Sequence, residues 1–274
     1  MLHVHLGEPA EVRGSVLRVG RDERALAFSP AHAAFAAGRV LLGDGARAFE
    51  YGPPTRLLFR YSAGPLLLTQ HWAGHVDGQR LRLFRAGRES AFALPLPGPP
   101  SFATDGRTLA LYWPAQPHGC NFVVILDERG PRARRLALKV HHAAVDGDFI
   151  YFANATSLHR RRVQGDWAAL ETGEWAWDTE LARHGLAAHG GVLLTGPPHR
   201  VTAHLGRCDR LGAFKLGEGT PWAFYDGFVL WRDASGALRR ASLAALMGSR
   251  KAAARLMLRL LIPDLALVRV LRFM

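Results

Sequence analysis

The sequence predicts an all-β chain of repeated units, each one small sheet, arranged in a ring and followed by a short helical tail. Three observations carry this. Six times a run of apolar or small residues ends in a glycine, often as Asp-Gly, and a hydrophobic strand-like segment follows. The clearest copies are PSFATDG-RTLALYW, HHAAVDG-DFIYFAN and PWAFYDG-FVLWRDA, marked by Gly106, Gly147 and Gly227, with weaker copies at Gly38, Gly78 and Gly191. Successive markers lie 40, 28, 41, 44 and 36 residues apart, a spacing that suits four strands per repeat. The position four residues before the marker is small in Ala34, Gly74, Ala143, Ala187 and Ala223, with Phe102 the exception. Strands that converge on a common axis leave no room for bulk there.

Taken in order, the chain begins with strand-like stretches around Leu2 to Leu6, Val12 to Val19 and Ala25 to Phe28. They either complete the sixth repeat, removing both exposed sheet edges, or make most of a seventh. Six is the expectation and seven the alternative. Each marker glycine is read as the turn between the innermost strand and the next one outward. The unit around Gly106 then continues with Thr108 to Trp113, Asn121 to Asp127 and Arg134 to Lys139. The unit around Gly147 has Val140 to Val145 inside, then Asp148 to Asn154, Ser157 to Val163 and Trp167 to Glu171 outermost. Glu171 to Gly185 is a longer connection carrying Trp175 and Trp177. The unit around Gly227 has Phe228 to Arg232, a turn at Asp233 to Gly236, and Ala237 to Ser242.

This pattern resembles β-propellers in general, over residues 1 to about 244. The resemblance rests on spacing and glycine register, not on a subfamily signature. WD dipeptides at third-strand ends, paired kelch glycines and Asp-box patterns are absent, and Trp177-Asp178 lies outside that register. The expected organisation is a propeller at 1–244 and a basic amphipathic helical tail at 245–274. In the tail, Ser249 is placed to cap a helix from Arg250 to Ile262, and Pro263-Asp264 suits the start of a second. Lys251, Arg255 and Arg259 recur at four-residue spacing as a basic stripe. Such a tail folds back on the propeller, docks on a partner, or lies on an anionic bilayer.

The formal net charge is +12, which alone would suggest nucleic acid. Lysine, however, occurs only at Lys139, Lys215 and Lys251, and isoleucine only at Ile125, Ile150 and Ile262. That skew reads as GC-rich bacterial coding, which spreads arginine without building a binding face, so nucleic acid is disfavoured. Cys120 and Cys208 have neither disulfide-framework nor metal spacing. The start carries no secretory pattern and no apolar run reaches membrane-spanning length; the expected location is the cytoplasm.

Histidines invite a metal reading: His3 with His5, and His71 with His75, each share a strand face. Neither pair has a third ligand nearby, and no metal or cofactor is expected. His32 and His141 both fall six residues before a marker and are the candidates for lining an axial pocket. Asp77, Asp105, Asp146 and Asp226 precede the marker glycines, and their recurrence argues for local Asx turns rather than catalysis. No phosphate loop and no GxSxG elbow occurs. The expected function is a non-enzymatic protein–protein interaction scaffold, with Trp175, Trp177, Trp222 and Tyr225 as aromatic anchors and the tail residues Lys251, Arg255 and Arg259 as docking cations. Bacterial propellers that accompany an AAA-type ATPase are a loose analogy, and make an ATPase-containing assembly one candidate partner. The alternatives are an enzyme or ligand-binding propeller with a His-lined axial pocket, and a membrane-peripheral adaptor anchored by the tail.

Overall fold

The computed structural model describes residues 3–5, 8–62, 64–114, 122–136, 140–154, 157–165, 167, 175–176, 185–205, 209–217, 222–225 and 227–248. They form seven successive antiparallel sheets, not six, in two compact units, Met1–Val140 and His141–Met274.

The first unit holds four sheets. Sheet 1 comprises β1 (His3–His5), β2 (Glu8–Arg13), β3 (Val16–Val19) and β4 (Asp22–Ala25). The N-terminal strands therefore make a sheet of their own. The stretch expected as one strand from Val12 to Val19 is a hairpin, because Gly14 takes φ 54° and reverses the chain so that Arg13 pairs with Val16. Sheet 2 runs β5 (His32–Ala36), β6 (Arg39–Gly43), β7 (Arg47–Glu50) and β8 (Arg56–Arg60). Sheet 3 runs β9 (Leu66–Leu68), β10 (Ala73–Asp77), β11 (Arg80–Arg85) and β12 (Arg88–Ala93). Sheet 4 runs β13 (Ser101–Thr104), β14 (Leu109–Tyr112), β15 (Phe122–Asp127) and β16 (Gly130–Arg135).

The second unit holds three. Sheet 5 is β17 (His142–Asp146), β18 (Phe149–Ala153), β19 (Ser157–Arg162) and β20 (Trp175–Ala176). Sheet 6 is β21 (Leu186–His189), β22 (Val192–Thr195), β23 (Val201–Leu205) and β24 (Asp209–Phe214). Sheet 7 is β25 (Trp222–Tyr225), β26 (Phe228–Arg232) and β27 (Leu238–Ser242), followed by helix α1 (Leu243–Met247). Within each unit the first strands of neighbouring sheets approach one another: β1 meets β5 and β5 meets β9, while β17 meets β21 and β21 meets β25.

Five marker glycines sit in the first hairpin of their sheet, as expected. Gly78 does not. It joins β10 to β11, the second hairpin of sheet 3, and the first hairpin turns at Thr69, whose hydroxyl accepts the backbone N–H groups of His71 (3.3 Å) and Trp72 (3.1 Å). A side-chain-closed turn leaves no glycine to read. Gly74 is therefore small for a reason other than convergence of first strands: a Cβ there would lie 2.3 Å from the Arg82 carbonyl oxygen.

Two outer strands also move. β16 begins at Gly130 rather than Arg134, because Asp127 closes a tight turn by accepting the Arg129 N–H (2.9 Å) and pairing with Arg132 (2.6 Å). The outer strand of sheet 5 is Trp175–Ala176, inside the segment read as a connection. Trp167 is not in a strand; its indole N–H donates to the Arg162 carbonyl (2.9 Å) and its ring meets Phe152 edge-on.

Each unit has apolar clusters between sheets. Leu67, Leu81 and Leu83 of sheet 3 pack with Leu109, Leu111, Val124 and Leu126 of sheet 4. In the second unit Val192, Leu194, Val201 and Phe214 of sheet 6 pack with Phe224 and Val229 of sheet 7 and with Leu243 of α1. The helical change after Ser242 begins at once: the Ser242 hydroxyl caps α1 by accepting the Ala245 N–H (3.1 Å), and the helix ends at Gly248 with φ 60°. It bridges the expected boundary at residue 244. The helices expected over 250–262 and from Pro263 onward lie outside the described residues.

Candidate functional site

Among the described residues an open groove of about 650 Å3 lies between sheets 2 and 3. One wall is β8 and the residues just after it: Leu58, Phe59, Arg60, Tyr61 and Ser62. The other is one face of sheet 3: His75 and Asp77 from β10, Arg82 and Phe84 from β11, Glu89 from β12. These residues meet because β10 and β11 pair Ala73 with Phe84 and His75 with Arg82, and β12 sets Glu89 opposite Phe84. Alternation then brings His75, Arg82, Phe84 and Glu89 to one face. On β8 a bulge intervenes, since Ala48 faces Phe59 but Phe49 faces Leu57. The extra residue, Leu58, breaks the alternation and lets consecutive residues line one groove.

The floor is aromatic. Phe59 and Phe84 stack with centroids 4.0 Å apart and planes 6° apart, and His75 lies nearly parallel to Phe59 at 5.6 Å. Tyr61 meets His75 edge-on at 5.7 Å, and its hydroxyl accepts the Gly45 N–H (3.1 Å) and lies 2.9 Å from Nδ1 of His32. Burial raises the Tyr61 phenol above its ordinary value, which keeps it a neutral hydrogen-bonding group. His75 is 1% exposed and neither ring nitrogen has a hydrogen-bond partner. Desolvation pushes its pKa down, outweighing the attraction of Asp77, so the ring is neutral at physiological pH.

The rim is charged and largely self-paired. Arg82 binds Asp77 through Nε (3.1 Å) and Glu89 through a terminal nitrogen (2.7 Å), and the Ser62 hydroxyl donates to Asp77 (3.2 Å). Arg60 is exposed and makes no ion pair among the described residues.

No protein-family model matches the chain, and no curated protein matches it in sequence. Solved structures match in fold. PorZ of Porphyromonas gingivalis, described as an essential bacterial surface component of the type-IX secretion system, aligns with a TM-score of 0.58 at 12% identity over 89% of this chain. This chain spans 36% of that one. Hsv2 of Kluyveromyces lactis aligns with a TM-score of 0.58 at 9% identity, covering 85% of this chain and 88% of that one. Hsv2 of Kluyveromyces marxianus gives 0.52 at 6% identity, over 77% and 72%. These neighbours are propeller proteins, and in this chain seven sheets follow one another in sequence order. The chain is a seven-bladed β-propeller. At such identities the likeness extends to the fold alone.

In blade terms, the groove lies between blades 2 and 3. Of the histidines expected at an axial pocket, His32 opens the first strand of blade 2 and partners Tyr61 behind the groove floor. His141 precedes the first strand of blade 5, where its backbone N–H donates to Ala153 (2.8 Å). His71 lies in the Thr69 turn, off the strand that carries His75. Among the described residues no three His, Cys, Asp or Glu side chains gather as metal ligands, and no helix is long and apolar enough to cross a membrane.

Of the expected aromatic anchors, Trp222 is half-buried, packs against the blade 6–7 cluster, and stands close enough to Gly185 that a Cβ there would touch its ring at 3.4 Å. Trp175 and Tyr225 lie in strands β20 and β25. Trp177, Lys251, Arg255 and Arg259 lie outside the described residues. Of the turn acids, Asp105 does close a local Asx turn onto Arg107 (2.9 Å) and Thr108 (2.8 Å). Asp77 joins the Arg82 network instead, and Asp146 reaches the neighbouring blade, accepting the N–H groups of Gly190 (3.0 Å) and Gly191 (2.6 Å). Asp226 lies outside the described residues. The groove residues Phe59, Tyr61, Arg60 and Phe84 are missed by a reading centred on marker glycines. Their one signal is Leu57-Leu58-Phe59, an unalternating apolar run in what becomes an end strand.

Proposed function

We propose that the chain is a non-enzymatic protein–protein interaction scaffold, in which rigid blades hold a recognition groove and the C-terminal segment with Lys251, Arg255 and Arg259 adds a second docking element. The observation that supports this reading is the groove between blades 2 and 3. An aromatic floor of Phe59 and Phe84 rimmed by arginines and acids is the anatomy of a protein-binding patch, an apolar centre within a polar edge. Its paired acids, held by Arg82 and Ser62, suit structural support of a surface.

The test is purification of the full chain under native conditions from its own cells after in-cell cross-linking. The expected result is one protein recovered in constant ratio with it, cross-linked to defined blades, and a complex of fixed mass by light scattering. Recovery of the chain alone, together with turnover of a small molecule by the purified protein, would replace this reading with the enzymatic one.

A further inference from the structure

Beyond a scaffold in general, the groove between blades 2 and 3 carries enough chemistry to say what enters it. We infer that it receives an extended, acidic segment of a partner protein, which lies along the free edge of β8, places an apolar side chain on the Phe59–Phe84 floor, and sets a carboxylate against Arg60. This deepens the scaffold reading and rests on it.

Four independent features agree. First, β8 is the last strand of its sheet and pairs only with β7, so its other edge offers unpaired backbone groups among the described residues. An extended segment satisfies such an edge with main-chain hydrogen bonds. Second, the edge is apolar where solvent would favour polar residues. Leu57 is 51% exposed and is the exposed large hydrophobic side chain of the described residues, and Leu58 beside it lines the groove. Third, charge selects the occupant. Asp77 and Glu89 are both engaged in ion pairs with Arg82, leaving Arg60 as the lining cation without an ion pair among the described residues. The surrounding stretch from Arg39 to Ala93 has eight arginines against four acids, so the local field also draws in negative charge. Fourth, His75 lines the groove with both ring nitrogens unsatisfied although the residue is buried. A neutral imidazole offers one donor and one acceptor, and a polar group entering from the groove supplies the partner that the fold does not.

Geometry and charge thus divide the work. The β8 edge and Leu57 set an extended conformation and an apolar requirement, while Arg60 sets the sign. A basic segment would face Arg60 and the surplus of arginines with like charge, and a helical one would leave the β8 edge unpaired.

The experiment uses the full chain and a fluorescein-labelled octapeptide alternating glutamate with leucine and phenylalanine, read by fluorescence anisotropy at physiological salt. Two peptides serve as controls, one with lysine replacing glutamate and one with serine replacing the apolar residues. The expected result is saturable binding of the acidic-apolar peptide and about tenfold weaker binding of each control. Arg60→Glu and Leu57→Asp each weaken the peptide by about tenfold, Arg60→Lys retains most of the affinity, and Arg107→Glu, the same charge change on blade 4, leaves it unaltered. Both altered side chains are exposed, and thermal melts confirm that each variant folds. Equal binding of the serine control, or affinity lost equally in Arg107→Glu and Arg60→Glu, would reduce the effect to general attraction toward a basic protein and overturn the assignment. If the cellular partner still cross-links to the Arg60→Glu variant at full yield through other blades, the groove assignment falls while the scaffold reading stands.

Discussion

The carboxylate of Asp146, at the end of β17, accepts the backbone N–H of Gly191 at 2.6 Å across 45 residues of sequence, and that of Gly190 at 3.0 Å. Both donors belong to the first hairpin of the next blade. One turn thereby fixes the position of its counterpart, a clasp between blades 5 and 6. Blades 3 and 4 are joined by different means at a comparable distance along the chain: the Trp72 indole N–H donates to the Asp127 carbonyl (2.7 Å), and Arg85 donates to the Glu128 carbonyl (2.8 Å) while lying over the Trp72 ring.

Replacing Asp146 should therefore cost more than replacing an acid with a purely local role. Each acid accepts two N–H groups, but those of Asp146 belong to the next blade and those of Asp105 to its own turn, so Asp146→Ala is expected to destabilise the protein by about 3 kcal/mol, against about 1 kcal/mol for Asp105→Ala. Urea unfolding of the two variants, side by side, measures the difference. Equal losses would mean that the clasp contributes nothing beyond its turn.

The contrast between Asp105 and Asp146 also shows what the sequence can disclose. Hairpins closed by glycine were legible: β17 to β18 and β25 to β26 fall where Gly147 and Gly227 place them, because a positive φ leaves a mark in residue type. The Thr69 hairpin left none, since a hydroxyl holds it. The short interval of 28 residues between Gly78 and Gly106 was the trace of that slip: Gly78 lies one hairpin too late. Blade 1 was legible only as the alternative of a seventh repeat, its turns at Gly14 and Gly20 being flanked by arginine and acids rather than by the apolar run that signals a first strand. The groove depends on contacts that no local pattern encodes. His75 stacks on Phe59 from another blade, and Leu58 reaches the groove only because of a bulge.

His75 should set the acid side of the stability profile. Its nearest charges are Asp77, Arg82 and Glu89, and Phe59, Tyr61 and Phe84 pack against the ring. Because burial holds its folded pKa below 6.5, the unfolded chain binds the proton more readily. Stability is full above that value and is lost as pH falls from 6.5 toward the depressed folded value. His75→Phe removes the titration and two unsatisfied nitrogens while keeping a ring on Phe59. The variant should be as stable as the parent or more so at neutral pH, by about 1 kcal/mol, and should lose less on acidification. Melting temperatures at about pH 7.5 and about pH 5.5, one above and one below the ordinary histidine value, decide it: an unchanged pH response in the variant would assign the acid limb to other groups.

At the β26 to β27 turn, Asp233 accepts from the Ser235 hydroxyl (2.5 Å), Arg239 (2.6 Å) and the Ala237 N–H (3.0 Å). These bonds hold its carboxyl down to about 2, the Ser235 hydroxyl contributing most. The stabilisation is present above 3.8 and is lost as pH falls through about 2. Carboxyl-carbon NMR should show Asp233 titrating well below the ordinary aspartate range, at about 2. In Ser235→Ala its midpoint should rise, and no movement would show that Arg239 and the backbone N–H groups hold the carboxylate without the hydroxyl.

Two glycines separate steric from conformational demand. Gly147 has φ 57° and open space where a Cβ would stand, so Gly147→Ala meets only backbone strain of about 1 kcal/mol. Gly74 lies outside the left-handed region, but a Cβ there would come within 2.3 Å of the Arg82 carbonyl oxygen and 3.0 Å of the Leu83 side chain. The obstructing atom belongs to the backbone of the paired strand, so relief requires β10 and β11 to separate, and those two strands carry His75, Arg82 and Phe84 on one groove wall. Gly74→Ala is expected to cost about 3 kcal/mol and to weaken the groove as well as the fold. Amide hydrogen exchange distinguishes the two variants: Gly74→Ala should lose protection along β10 and β11, whereas Gly147→Ala should lose it only at its own turn. Retained protection across blade 3 in Gly74→Ala would mean that the strand pair has slack enough to admit a methyl group, and the steric account of that glycine would fail.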